Sequence, residues 1–151
     1  MLGGCFGGAE LSPSGEGLPR ASITFPDSIP PGAVRRAELT VANPGPGDIE
    51  SLSVDFARVG APAAQGLPNP IVDPGRGRDS GAVVDVSPRP RRAAPDVSYG
   101  FGPLPEGESV TLSFAVEVPE DPGVAANSVI VYDAADPGRA AGVRLETAVE
   151  R

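Results

Sequence analysis

Residues 108–118 alternate almost strictly. Val110, Leu112, Phe114, Val116 and Val118 are apolar, and Ser109, Thr111, Ser113, Ala115 and Glu117 stand between them. A period of two puts the first set on one face of a β-strand and leaves the other face to water. The same pattern predicts strands over 20–25, 33–42, 49–59, 81–86, 96–101, 127–134 and 142–149. In 33–42, Ala37, Leu39 and Val41 point inward and Arg36, Glu38 and Thr40 outward. In 49–59, Leu52, Val54 and Phe56 alternate with Ser51, Ser53 and Asp55. Val97, Tyr99 and Phe101 share a face, as do Val143, Leu145, Thr147 and Val149.

The breaks between these runs are turn chemistry. Asn43-Pro44-Gly45-Pro46-Gly47, Leu104-Pro105-Glu106-Gly107 and Glu120-Asp121-Pro122-Gly123 each combine a residue without a ladder donor with one that accepts positive φ. Between residues 60 and 80, Pro62, Pro68, Pro70, Pro74, Gly75 and Gly77 keep out a regular element. A loop of that length within one domain is expected to be functional or mobile. Ser87 to Pro95 reads as a Pro/Arg loop. No segment reads convincingly as a helix. The pattern as a whole predicts an all-β, antiparallel two-sheet sandwich of seven or eight strands over residues 19–151, with residues 1–18 as a flexible tail.

Composition changes this picture mainly by exclusion. Gly and Pro, at 20 and 19 of 151 residues, are abundant, but they fall between patterned runs and do not form a low-complexity tract. The net charge of −8 is opposite to what phosphate binding needs, so no nucleic-acid partner is expected. With no His, the chain lacks an imidazole base and an imidazole metal ligand. All 12 basic residues are Arg, so no Lys can form a Schiff base or a phosphate-loop contact. One Cys cannot make an internal disulfide or a Cys-rich zinc site. The expectation is a protein that is not an enzyme and uses no cofactor and no metal.

The single Cys has a suggestive context. Leu2-Gly3-Gly4-Cys5 resembles a bacterial lipobox, in which Cys becomes the lipid-bearing first residue of the mature protein. Residues 6–18, rich in Gly, Ser, Glu and Pro, suit the tether that would follow. Only four residues precede Cys5, so the resemblance implies a signal segment upstream of Met1. Cys5 is therefore the expected lipidation residue. The expected location is extracytoplasmic, at the cell envelope, on the membrane through a lipid anchor if Cys5 is acylated.

Three segments carry a family resemblance. Leu39-Thr40-Val41-Ala42-Asn43-Pro44-Gly45 is similar to a strand running into an Asn-x-Gly turn. Leu104-Pro105-Glu106-Gly107-Glu108 leads through a Gly-Glu turn into Ser109-Val110-Thr111-Leu112. Ala126-Asn127-Ser128-Val129-Ile130-Val131 resembles a closing strand. In order and spacing they resemble the cell-adhesion-related domain found in bacteria and its conserved-repeat relatives on surface proteins, over about residues 20–149. That resemblance implies an immunoglobulin-like sandwich on an exported protein, serving adhesion or spacing, with no catalytic residues.

Arg89, Arg91 and Arg92, with Arg76 and Arg78 in the preceding loop, are the only basic concentration and the candidate partner-binding residues. Guanidinium groups recognise carboxylates bidentately, which suits an acidic glycan, lipid headgroups or a carboxylate-rich protein. The alternative for these arginines is a solvated loop. Asp133, Asp136, Glu120 and Asp121 offer oxygens for Ca²⁺ but lack the spacing of a calcium loop. Tyr99 and Phe101 are either an exposed aromatic patch or core. The expected function is a non-catalytic extracytoplasmic module that binds a protein or glycan at the envelope. The alternatives are a structural spacer from a longer surface array, a small carbohydrate-active or accessory domain with paired carboxylates, and strand donation through an exposed edge.

Overall fold

The computed structural model describes residues 8–11, 18–59, 66–74 and 81–151. Among them the regular elements are strands: β1 (Gly8–Leu11), β2 (Arg20–Thr24), β3 (Ser28–Ile29), β4 (Val34–Ala42), β5 (Ile49–Arg58), β6 (Ala82–Ser87), β7 (Arg92–Ala94), β8 (Ser98–Leu104), β9 (Ser109–Glu117), β10 (Gly123–Asp133) and β11 (Asp136–Val149). One sheet has the order β2-β4-β9-β6. The other runs β1-β11-β10-β5-β8-β7, with β3 also on β11. Every strand pairing is antiparallel except β3 with β11. The two sheets close over a shared core, the all-β sandwich that the alternation predicts.

The eight patterned segments correspond to β2, β4, β5, β6, β8, β9, β10 and β11. β4 and β9 pair residue for residue from Val34↔Glu117 to Ala42↔Ser109, so Leu39 meets Leu112 and Ala37 meets Phe114 on the inner face. Burial follows the alternation, with Ala37, Leu39, Val41, Leu112, Phe114 and Val116 all at 0% exposure. Each fully buried side chain of Val, Leu or Phe size contributes about 1.5–3 kcal/mol. Phe114, from the smaller sheet, sits among the aromatic rings of the larger one. It is edge-on to Phe56 at 5.4 Å, Tyr99 at 5.5 Å and Phe101 at 6.3 Å. Tyr99 is buried and Phe101 half-buried against the core, so this pair is packing and not an exposed patch.

The structure departs from the sequence expectations in four places. Gly8–Leu11, within the stretch expected to be a tether, pairs with Leu145 to Gly142 on β11. It takes up ladder groups that would otherwise stand open on that edge. Arg92–Ala94 is strand β7, where a Pro/Arg loop is expected; three residues suffice to pair with Gly100 to Ser98. β10 starts at Gly123, and β11 starts at Asp136 with an irregular register between Tyr132 and Asp133. The runs 123–126 and 136–141 carry small or turn-forming residues with little strand signature, so pairing with a neighbour makes them strand. The short β3 comes from the same cause, two residues docked beside Ala148 and Val149.

Part of the long loop is packed. Ile71 and Val72 are fully buried, and Asp73 is 5% exposed. The Asn127 side chain, itself at 0% exposure, holds them to β10. Its Oδ1 accepts from the N–H groups of Ile71 at 2.9 Å and Val72 at 3.0 Å, and its Nδ2 donates to Val72 O at 2.9 Å and Ala57 O at 3.1 Å. Arg58 pairs with Asp73 at 2.6 Å. Gly81 closes the passage. Its N–H donates to Ile71 O at 2.8 Å, and a Cβ there would collide with the carbonyl oxygens of Glu117 and Ile71.

A second side-chain hub fixes one end of the sandwich. Asn43, 1% exposed, donates from Nδ2 to Leu104 O at 2.9 Å and Gly47 O at 3.0 Å, and its Oδ1 accepts from Gly45 N–H at 3.0 Å. Its backbone N–H donates to Glu108 O at 2.9 Å and its carbonyl accepts from Gly107 N–H at 2.7 Å. The two turns that carry the family resemblance are thus laced to each other through one residue.

Candidate functional site

The outer face of the larger sheet carries a row of side chains in register across four strands. Arg92 on β7 pairs with Gly100 on β8, Gly100 with Ser53 on β5, and Ser53 with Tyr132 on β10. Directly paired residues point to the same side, and neighbouring strands are about 4.8 Å apart, so the row spans roughly 14 Å. Gly100 presents no side chain, and the Arg92 guanidinium lies across it. A Cβ at Gly100 would meet Arg92 Nη2 at 3.2 Å and Nε at 3.3 Å. Nη2 reaches beyond the glycine and donates to Ser53 Oγ at 3.3 Å. Nearby on the same two strands, Tyr132 Oη donates to Asp55 Oδ1 at 3.1 Å.

Arg91 repeats the arrangement beside Arg92. Its N–H donates to Gly100 O at 2.7 Å, and its guanidinium lies over Gly102. A Cβ at Gly102 would sit 2.6 Å from Arg91 Cζ. Gly102 has φ +96°, a conformation that side-chain-bearing residues rarely adopt, so the backbone favours glycine there and the guanidinium fills the space left by the absent Cβ. Residues two positions apart on a strand are separated by about 7 Å, and each of these two glycines beds one guanidinium. Arg89, Arg91 and Arg92 form no ion pair among the described residues, whereas Arg36, Arg58, Arg139 and Arg144 each have a carboxylate within 4 Å. On a chain of net charge −8, two adjacent unneutralised guanidiniums bedded on a sheet are a receptive surface for an anion.

Of the expected partner-binding residues, the structure thus brings Arg91 and Arg92 together and leaves Arg89 exposed in the turn before them. Arg76, Arg78 and the expected lipidation residue Cys5 lie outside the described residues. Ser53, Asp55 and Tyr132 do not stand out as site residues in the sequence. Its usable signal is Gly100 and Gly102 inside a strand, since glycine in a strand interior marks close approach by another group.

The acidic residues weighed for Ca²⁺ are not gathered into a site. Asp133 is 2% exposed and accepts from the N–H groups of Glu50 at 3.2 Å, Ser51 at 3.1 Å and Ala135 at 3.0 Å, with Arg139 Nη1 at 3.9 Å. That carboxylate fastens the β10–β11 hairpin to β5. Among the described residues no group of three His, Cys, Asp or Glu could hold a metal ion. Burial pushes the Tyr99 phenol above its ordinary pKa of 10.0. The hydrogen bond it accepts from Asp96 N–H at 3.0 Å acts against that rise, and the Asp96 charge adds to it.

No known protein family matches the chain, and no curated protein does. Among solved structures it is similar to AvmM, described as catalyzing macrocyclization in alchivemycin A biosynthesis. The TM-score is 0.52 at 18% identity, covering 90% of each chain. The likeness is one of fold.

Proposed function

We propose that this chain is a non-catalytic extracytoplasmic binding module that holds an acidic glycan of the cell envelope against the outer face of its larger sheet. One observation carries the reading. Arg91 and Arg92 are bedded on Gly102 and Gly100 and have no carboxylate partner among the described residues. Ser53, fully buried beneath Arg92, anchors one guanidinium, so the pair presents its remaining N–H donors to the acid groups of a uronate chain. Arg92 sits on β7, and Arg91 is tied to β8 by the bond from its N–H to Gly100 O, so the pair is held more rigidly than side chains on a free loop.

The strand order supports the finer reading of the fold as immunoglobulin-like. In that sandwich strands A, B, E and D form one sheet and G, F and C the other. Naming β2, β4, β5, β6, β9, β10 and β11 as A to G reproduces both neighbour sets. On that frame β7 and β8 are an insertion between D and E that extends the C edge, and this insertion bears the arginine pair. The proposal places the module at the envelope through acylation of Cys5, which metabolic labelling of the full gene product with a fatty acid would test at that residue.

Retention on immobilised polygalacturonate, compared with neutral dextran, tests the glycan reading. The module should be held by the first at low salt, released as salt rises, and pass through the second. Flow-through on both columns favours the structural-spacer alternative.

A further inference from the structure

A cleft opens between the sheets where β8 leaves the shelter of β7, which pairs only with residues 98–100. Its volume is about 220 Å³, and its floor is apolar: Leu52, Phe101, Leu104, Val110 and Leu112. Phe101 and Val110 are only partly buried there, although both pack on the core. Pro88, Pro103 and Pro105 form the rim, together with Glu108. Prolines have no N–H and a fixed φ, so this rim is stiff and these residues offer it no donors. The turn that carries it is held from below by Asn43, which binds Leu104 O, Gly107 N–H and Glu108 O. A cleft fixed before its ligand arrives avoids the ordering cost of forming one.

We propose that this cleft is a second binding site, separate from the arginine pair, for a small apolar amine. Glu108 is the charged residue of the lining; it is exposed and forms no ion pair among the described residues. An apolar pocket with an acidic residue on its rim favours an apolar body with a cationic head. A cavity of about 150 Å³ holds one benzene ring, so this cleft admits a ring with a short alkyl chain.

Methyl NMR titration of the intact protein tests the site with three matched probes: 2-phenylethylamine, 2-phenylethanol and 3-phenylpropionate. The amine should shift the methyls of Leu52, Leu104, Val110 and Leu112 saturably. The alcohol should bind about fivefold more weakly, the size of one exposed ion pair, and the carboxylate more weakly still. Glu108→Gln, at an exposed position, should reduce the amine to the level of the alcohol and leave the alcohol unchanged. Val110→Trp should fill the cleft and remove binding of all three. The proposal is overturned if the amine shifts none of these methyls, if the carboxylate binds as well as the amine, or if Glu108→Gln leaves the amine preference intact. Retention on polygalacturonate is read independently, so the two sites stand or fall separately.

Discussion

Asn127 and Val72 clasp each other twice. The Asn127 Oδ1 accepts from the Val72 N–H at 3.0 Å while its Nδ2 donates to the Val72 carbonyl at 2.9 Å. One amide thereby copies the pattern of a strand partner for a segment whose bridges among the described residues are isolated ones, Asn69 with Ala125 and Val72 with Gly81. Removing the amide leaves buried N–H and C=O groups without partners, each costing about 1–3 kcal/mol. Asn127→Ala should lower stability by about 3 kcal/mol or more, measured as a reduced urea midpoint with little change in slope. Hydrogen exchange at the Ile71 and Val72 amides should accelerate by a larger factor than exchange in β4 or β9.

The Tyr99 phenol gives stability a dependence on alkaline pH. Its pKa is raised in the folded protein, so the folded state resists deprotonation more than the unfolded chain does. The contribution is fully present below the ordinary value of 10.0 and is lost as pH climbs through the raised one. Denaturation midpoints should therefore fall as pH rises above 10.0. Tyr99→Phe should flatten that fall, at a cost of about 1 kcal/mol near neutrality for the lost hydrogen bond to Asp96. A variant as alkali-sensitive as the parent would show that another group is responsible.

Gly102 joins backbone geometry to the binding face. Gly102→Ala places a Cβ on the Arg91 guanidinium and forces a side-chain-bearing residue to φ +96°. The left-handed conformation alone costs about 1–2 kcal/mol. Thermal stability should drop by that amount, and polygalacturonate binding should weaken because Arg91 is displaced. Gly47, also at positive φ but with nothing within 4 Å of where its Cβ would stand, is the control. Gly47→Ala should show the backbone cost and leave binding unchanged.

Much of the fold is legible from alternation alone. Leu39, Leu112 and Phe114 declare themselves inward because a strand has only two faces, and all three are buried. The segments that escape this reading lack such residues. Ala93 and Ala94 become strand only because Tyr99 and Ser98 lie opposite them, and Gly123 to Ala126 only because Ala148 and its neighbours do. The candidate site is half legible for the same reason. Ser53 and Asp55 are assigned correctly to the outer face of β5, and Arg91 and Arg92 stand out as cations. That Arg92 crosses Gly100 to reach Ser53 is a matter of register between strands about 40 residues apart in the chain, which composition does not encode. Asn127, a polar residue beside apolar ones, gives no sign in the sequence that it is a buried clasp.

The most direct measurement of the central claim is isothermal titration of an oligogalacturonate into the parent protein and into the Arg91→Ser, Arg92→Ser double variant at low salt. Both arginines are exposed and form no ion pair among the described residues, so the variant should fold as the parent does. The parent should bind saturably and the variant at least about tenfold more weakly, as two lost charge-assisted contacts require. Equal affinity in the two proteins, or no heat of binding in the parent, would contradict that claim.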